Sequence, residues 1–434
     1  MTKQYSFATN FLSLFSSNIS SLLLGIITSL IVVRWLAPEG FGLKTVLTNF
    51  PILFVSFFEM GVRQSTIFFI GTKRYAEDRI FSSILTLWLF SSIIGLGIYF
   101  LMSLFQFKEI PIYLISISAV YIPIMIGQSF LSGLLLGKNM IRKLAILTFA
   151  YSFLTPVITI LFLIVFDWGV FGVLLASQLV LLFTLWYRLF LLKRELNLKF
   201  KFSFELEVII SLFKHGIFYA IAMFLTSNFK LIPVFLMNGN ISNYDIGIYS
   251  AGMAFAMLLN RIIGSTYPII FAKGVNISDH DDYSKKIQVL FRVMTPILVI
   301  GVLLLFFLLP FLLPIIFGNK YVDSILITQI LLFGFLAFAI QSFFIMDIAS
   351  KGKPFVTVKA VTPAFLICII LNYIGIRFYG NIGAAISTTI ALMVSCICYF
   401  YIYSKETKCT VWEIINPRRS DWIFLFSQIK TLRK

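Results

Sequence analysis

Tyr379-Gly380-Asn381-Ile382-Gly383-Ala384-Ala385-Ile386-Ser387-Thr388-Thr389 opens the last long apolar run of the chain. A fainter copy, Trp168-Gly169-Val170-Phe171-Gly172-Val173-Leu174-Leu175-Ala176-Ser177-Gln178, stands 211 residues upstream. In both, two glycines spaced by three introduce an apolar stretch that ends in basic residues. Two further echoes keep the same order. Glu39-Gly40-Phe41-Gly42-Leu43 matches Tyr244-Asp245-Ile246-Gly247-Ile248-Tyr249, and Gly137-Lys138 matches Gly352-Lys353 with a few residues of slippage. Three ordered echoes predict two homologous halves joined near residue 200, the internal repeat from which secondary transporters are built.

Composition sets the class. Hydrophobic residues make up 59% of the 434, and only 12% are charged; mean hydropathy is +0.97. A soluble fold of this length could not cover so much apolar surface. The expectation is an all-α polytopic membrane protein. About twelve apolar segments are each long enough to cross ~30 Å of hydrocarbon as a helix. They fall near 9–36, 43–70, 80–105, 111–136, 144–166, 169–192, 216–237, 246–272, 290–316, 324–349, 355–377 and 381–403. The first is read as a true span rather than a cleaved signal, because it is long and runs straight into a second.

Charge predicts the orientation. With the N-terminus inside, the outer connectors hold only Arg34, Lys44, Lys108, Lys320 and Arg377 of the 35 Lys and Arg. The large majority then face the cytoplasm, as do both termini. A net charge of +17 needs no nucleic acid; it faces anionic head groups of the membrane lipids. By segment, residues 1–192 form an N-terminal six-helix lobe, 193–215 a cytoplasmic amphipathic linker, 216–403 a C-terminal six-helix lobe, and 404–434 a cytoplasmic, interfacial tail. The four cysteines and two histidines offer no disulfide framework and no metal-ligand spacing. No cofactor or metal is expected.

Arg34-Trp35-Leu36-Ala37-Pro38-Glu39-Gly40-Phe41-Gly42 resembles the first outer loop of the polysaccharide transporters in the multidrug/oligosaccharidyl-lipid/polysaccharide flippase superfamily. Asn372-Tyr373-Ile374-Gly375-Ile376, with the Tyr379–Ala385 stretch, is similar to the approach to their last span. Phe317-Gly318-Asn319-Lys320-Tyr321 resembles their outer turn after span nine. The likeness runs from about residue 8 to 403. It implies two pseudo-symmetric six-helix bundles around a central cavity that opens alternately to each side of the bacterial cytoplasmic (inner) membrane. It also implies the cargo of the Wzx-type members: undecaprenyl-diphosphate-linked oligosaccharide, carried to the outer leaflet for O-antigen, lipopolysaccharide or a related surface polysaccharide. Partners on this reading are the lipid-linked substrate, membrane lipids, and a polysaccharide polymerase with its chain-length machinery.

Ionisable residues inside spans are costly and mark candidate sites. Arg261 lies near the middle of span eight, some ~15 Å of helix from either surface. Its face, Gly247, Ala251, Ala254, Leu258 and Ser265, suits a cavity wall or close helix packing. Arg261 is therefore a phosphate ligand or a structural partner. Lys230 in span seven lines the same cavity with Asn228 or snorkels to the outer surface. Glu59 and Arg63 are spaced i,i+4 in span two, so they can neutralise each other along one helix, with Arg63 a substrate cation as the other reading. Asp347 reads as an interfacial charge near the inner end of span ten, or, with Glu59, as a structural or coupling acid. Asn18, Ser21, Gly25 and Thr28 share a face of span one that is either interhelical glue or cavity wall.

Lys230 and Arg261 are cationic, and spans one, seven and eight hold no carboxylate. Cations in a low-dielectric passage favour a diphosphate cargo; an exporter of cationic drugs would want buried acids. A multidrug-extrusion or lipid II flippase member of the superfamily is the alternative. A membrane-embedded glycosyltransferase or polymerase, the alternative of another class, would need a large outer loop or paired carboxylates, which the connectors do not supply. No GxxxxGK[ST] loop is present, so ATP hydrolysis is not expected. The protein reads as a transporter and not an enzyme.

Overall fold

A computed structural model describes residues 7–196, 205–258, 260, 280–351, 354–416 and 421. These residues fold as helices: α1 (Phe7–Phe58), α2 (Val62–Gly71), α3 (Glu77–Gln106), α4 (Ile112–Gly137), α5 (Ile141–Ile160), α6 (Gly169–Leu196), α7 (Leu206–Asn228), α8 (Leu231–Met237), α9 (Asn243–Ala256), α10 (His280–Phe317), α11 (Ser324–Ser350), α12 (Pro354–Thr407) and α13 (Val411–Ile415). Among the described residues, nine helices are long and apolar enough to cross a membrane. The expected spans outnumber them for a local reason. α1 carries expected spans one and two up to Phe58, α12 carries eleven and twelve, and much of span eight lies outside the described residues. The chain is an all-α polytopic membrane protein.

Single residues divide the two longest helices. Ala37 interrupts α1 with φ 56° and ψ 175°. It precedes Pro38, whose ring disfavours the helical conformation of the residue before it. Gly380 interrupts α12 with φ 56° and ψ −134°. Gly169, which opens α6, has φ 52°. Gly169 and Gly380 are the matched first glycines of the sequence repeat, and both have a positive φ, which glycine adopts without a Cβ penalty.

By packing, the chain divides into compact units at 1–250 and 251–434. The sequence repeat was placed to divide at 193–215. Residues 206–213, within the expected amphipathic linker 193–215, are helical and form the opening turns of α7. Val208, Ile209 and Leu212 are buried, and α7 packs within the first unit. There Ser65 Oγ donates to the Leu212 carbonyl at 2.6 Å. A Cβ on Gly61 or on Gly216 would collide with the backbone of the other. A second glycine contact joins the two copies of the shorter echo: a Cβ on Gly42 would strike the Asn243 carbonyl, and one on Gly247 the Pro38 carbonyl. Small residues let helix backbones approach closely where lipid supplies no hydrophobic drive between helices.

In the first unit Phe50 packs on Tyr99, Phe107 and Phe235. The Tyr99 hydroxyl shares a 2.9 Å hydrogen bond with Ser118, which donates to the Leu47 carbonyl. In the second unit the two arms of α12 meet at Gly375 and Gly383, and Ser387 donates to the Leu371 carbonyl at 2.7 Å. Large apolar side chains face outward instead. Phe307 is 72% exposed and Phe311 70%, a surface that lipid tails cover at no hydration cost.

Candidate functional site

The expected Glu59–Arg63 pair does not form along a helix. α1 ends at Phe58 and α2 begins at Val62, with Met60 (φ 46°) and Gly61 (φ 66°) turned through left-handed conformations between them. The break removes the regular i,i+4 geometry that such a pair requires. The Glu59 carboxylate accepts from the Ser129 hydroxyl of α4. Arg63 stands in the first turn of α2, half-buried, against the small residue Gly133 of α4.

One residue before Ser129, Gln128 binds a cation that sequence reasoning passed over. Arg188 Nη1 donates to the Gln128 backbone carbonyl at 3.1 Å and to its side-chain Oε1. The Gln128 amide is fixed for this role: its Nε2 donates to the Leu181 carbonyl at 2.9 Å and to Thr184 Oγ1 at 2.7 Å. Arg188 is only 8% exposed. Among the described residues no carboxylate forms an ion pair with Arg188 or with Arg63. Both arginines stand on α4, Arg188 through Gln128 and Arg63 through its backbone contact with Gly133.

Arg188 lies near the basic end of its expected span, with Lys193 and Arg194. Its helical phase gives a different reading, because Leu174, Leu181, Leu185 and Leu192 share its buried stripe on α6. It stands eight residues from the end of α6, as Arg63 stands eight from the end of α2, or roughly 12 Å along each helix. Gln128 is nine from the end of α4. Glu59, Ser129, Gln128 and Arg188 therefore meet at one level of α4, and Arg63 joins them five residues nearer its end, in one polar band across α2, α4 and α6. It holds two cations and one acid.

Asn228 is buried at the end of α7, and its amide is engaged. Nδ2 donates to the Phe224 carbonyl at 2.6 Å and to Ser56 Oγ at 3.0 Å, tying α7 to α1 one turn before Glu59. Lys230 is half-buried in the two-residue break between α7 and α8. In α1, Thr28 spends its hydroxyl on the Leu24 carbonyl at 2.7 Å. Among the described residues, a Cβ on Gly25 would meet nothing within 4 Å. The side chain of Asn18 and the whole of Arg261 lie outside the described residues.

In the second unit Asp347 is not an interfacial charge. It is 0% exposed, accepts from the Tyr403 hydroxyl at 2.7 Å and pairs with Lys351 Nζ at 3.5 Å. Burial between α11 and α12 explains the departure: a lone carboxylate there needs partners, and the aromatic hydroxyl and the lysine supply them. Arg292 of α10, also unremarked in the sequence, is held by Asp421 and by the Glu413 carbonyl.

Comparison with known proteins follows the same lines. The sequence model of a family described as "Polysaccharide biosynthesis protein" matches residues 7–272. The chain is 26% identical over 421 residues to the capsular polysaccharide biosynthesis protein CapF of Staphylococcus aureus, covering 91% of this chain and 99% of that one. It is 22% identical over 408 residues to a putative O-antigen transporter of Shigella flexneri, covering 88% and 93%. In structure it resembles the lipid II flippase MurJ in an inward closed conformation, with a TM-score of 0.74 at 16% identity over 96% of this chain and 92% of that one. It also resembles an inward-facing MATE family transporter of the MOP superfamily, with a TM-score of 0.67 at 14% identity over 92% and 98%. These structural likenesses establish the fold.

Proposed function

We propose, from the fact that the chain belongs to the polysaccharide biosynthesis protein family, that it flips lipid-linked oligosaccharide across the bacterial cytoplasmic membrane. The cargo is an undecaprenyl-diphosphate-linked repeat unit for O-antigen or a related surface polysaccharide, carried from the inner to the outer leaflet by alternating access. The observation that carries this reading is the excess of cation over acid around α4. Arg63 and Arg188 stand at membrane depth without a carboxylate partner among the described residues, where a diphosphate is stabilised and a cationic drug repelled. Arg261 and Lys230 extend the cationic path and hold the diphosphate in transit, with Asn18 and Asn228 as polar wall. Glu59 and Asp347 are structural or coupling acids.

Both termini face the cytoplasm, and the carrier performs no covalent chemistry on its cargo. A polysaccharide polymerase and chain-length machinery take the product. The multidrug-extrusion alternative gains nothing from this charge pattern. Deletion of the gene tests the reading: surface glycan should disappear and its lipid-linked precursor should accumulate on the inner leaflet. Normal surface glycan with altered drug tolerance would replace it with the multidrug reading.

A further inference from the structure

The layer across α2, α4 and α6 is electrically incomplete. A guanidinium has five N–H donors in a fixed fork, and the bonds to Gln128 use only Nη1. Arg188 Nε is fully buried and has no hydrogen-bond partner. Leaving a buried charged donor unmatched is among the costliest arrangements at membrane depth. A second cation, Arg63, stands five residues further along α4, with its backbone against Gly133. The first turn of α2 opens in the same layer, because the chain is broken at Glu59-Met60-Gly61. Its Val62 and Ser65 N–H groups donate to the Glu59 and Gly61 carbonyls, and the helix start adds the positive end of a dipole. The acid in the layer, Glu59, is bound to Ser129, and it balances only one of the two arginines.

We infer that Arg188 and Arg63, converging on α4 inside the first unit, form an anion-binding site. Its ligand is a small hydrogen-bond-accepting anion, either a halide from solution or the phosphate oxygens of a lipid diphosphate. The site rests on charge and geometry within one unit and stands whether or not the cargo is an oligosaccharide. The anion accepts from Arg188 Nε and offsets the charge of the two guanidinium groups. Gln128 positions Arg188 for this by spending both its amide hydrogens on α6 and turning its oxygen to the guanidinium.

The test is thermal unfolding of the purified full chain in detergent, at constant ionic strength. One arm replaces sodium gluconate with sodium chloride, and the other adds farnesyl diphosphate as a lipid-diphosphate probe. Binding at about a hundredfold above the dissociation constant should raise the midpoint by a few degrees. Arg188→Gln and Arg63→Gln should each abolish that rise. A chloride response lost in the variants assigns the free ion. A farnesyl diphosphate response without a chloride response, again lost in the variants, assigns the lipid phosphate. No rise in the parent with either probe, or a rise that persists in both variants, overturns the site. If Arg188→Gln is not recovered folded, Arg63→Gln and Arg188→Lys decide. The lysine keeps the charge but lacks Nε, so it should weaken apparent affinity about tenfold or more; unchanged affinity in both overturns the site. A failed surface-glycan experiment would leave these shifts untouched, so the two readings fall separately.

Discussion

Arg292 holds Asp421 through two parallel hydrogen bonds, Nε to Oδ2 at 2.7 Å and Nη2 to Oδ1 at 3.0 Å, with both side chains almost sealed from solvent. A third, from Nη1 to the Glu413 carbonyl at 3.1 Å, draws the short helix α13 into the same grip. Asp421 and α13 are thereby fastened to the first half of α10. Thr410 and Glu413 complete a reciprocal cap at the start of α13, and Ile414 is fully buried.

Breaking this pair leaves one buried charge unmatched, so Asp421→Asn or Arg292→Gln should destabilise the second unit by about 3–5 kcal/mol. The double variant should cost clearly less than the two single costs added. Thermal unfolding of the four proteins in one detergent checks this. Strict additivity would mean that the two side chains do not depend on each other.

Gly61 and Gly216 should tolerate no side chain. Gly61 combines a positive φ with backbone contact to Gly216, so Gly61→Ala carries about 1–2 kcal/mol of conformational strain before any collision. Gly71→Ala is the control, since its Cβ would meet nothing within 4 Å. Membrane yield and unfolding midpoint should fall sharply for Gly61→Ala and Gly216→Ala and hold for Gly71→Ala. Equal behaviour of all three would remove the contact from the account of α2 and α7.

Arg261 is expected to act by charge more than by size. Arg261→Lys should retain part of the transport activity, because a point charge attracts phosphate but lacks the forked geometry. Arg261→Gln and Arg261→Ala should fail at normal protein level, and Arg261→Glu should be worst. Surface-glycan display normalised to membrane protein reads the series. Full display by Arg261→Ala would end its role as the phosphate ligand.

Reporter fusions should place residue 200 and the C-terminus inside, and the junctions near Glu39 and Asp245 outside. A C-terminus on the outer side would contradict the charge-based orientation and the twelve-span count together.

Much of the fold was legible because lipid imposes a long, simple signal. Runs of twenty apolar residues announce helices whatever their neighbours, and Gly169 and Gly380 announced the repeat. The break at Glu59-Met60-Gly61 was not legible. It interrupts an apolar run, its left-handed Met60 has no local preference for that conformation, and its contact partner Gly216 lies far away in sequence. The site suffered from the same cause. Arg188 sits near the basic end of its span, and only its phase with Leu181, Leu185 and Leu192 marks it as buried. Asp347 was misjudged because Tyr403, its donor, is on another helix.

Ala37 and Gly380 have one more consequence. At each, two long helices meet across a single non-helical residue, so the chain leaves no slack loop at these junctions. A protease must draw out a stretch of chain to cut it, and an inserted epitope needs flanks that can give way. An antibody raised against peptides spanning either junction would meet a helix end in place of a flexible segment. Proteolytic mapping should therefore pass over both junctions, even though each joins two membrane crossings in the twelve-span reading.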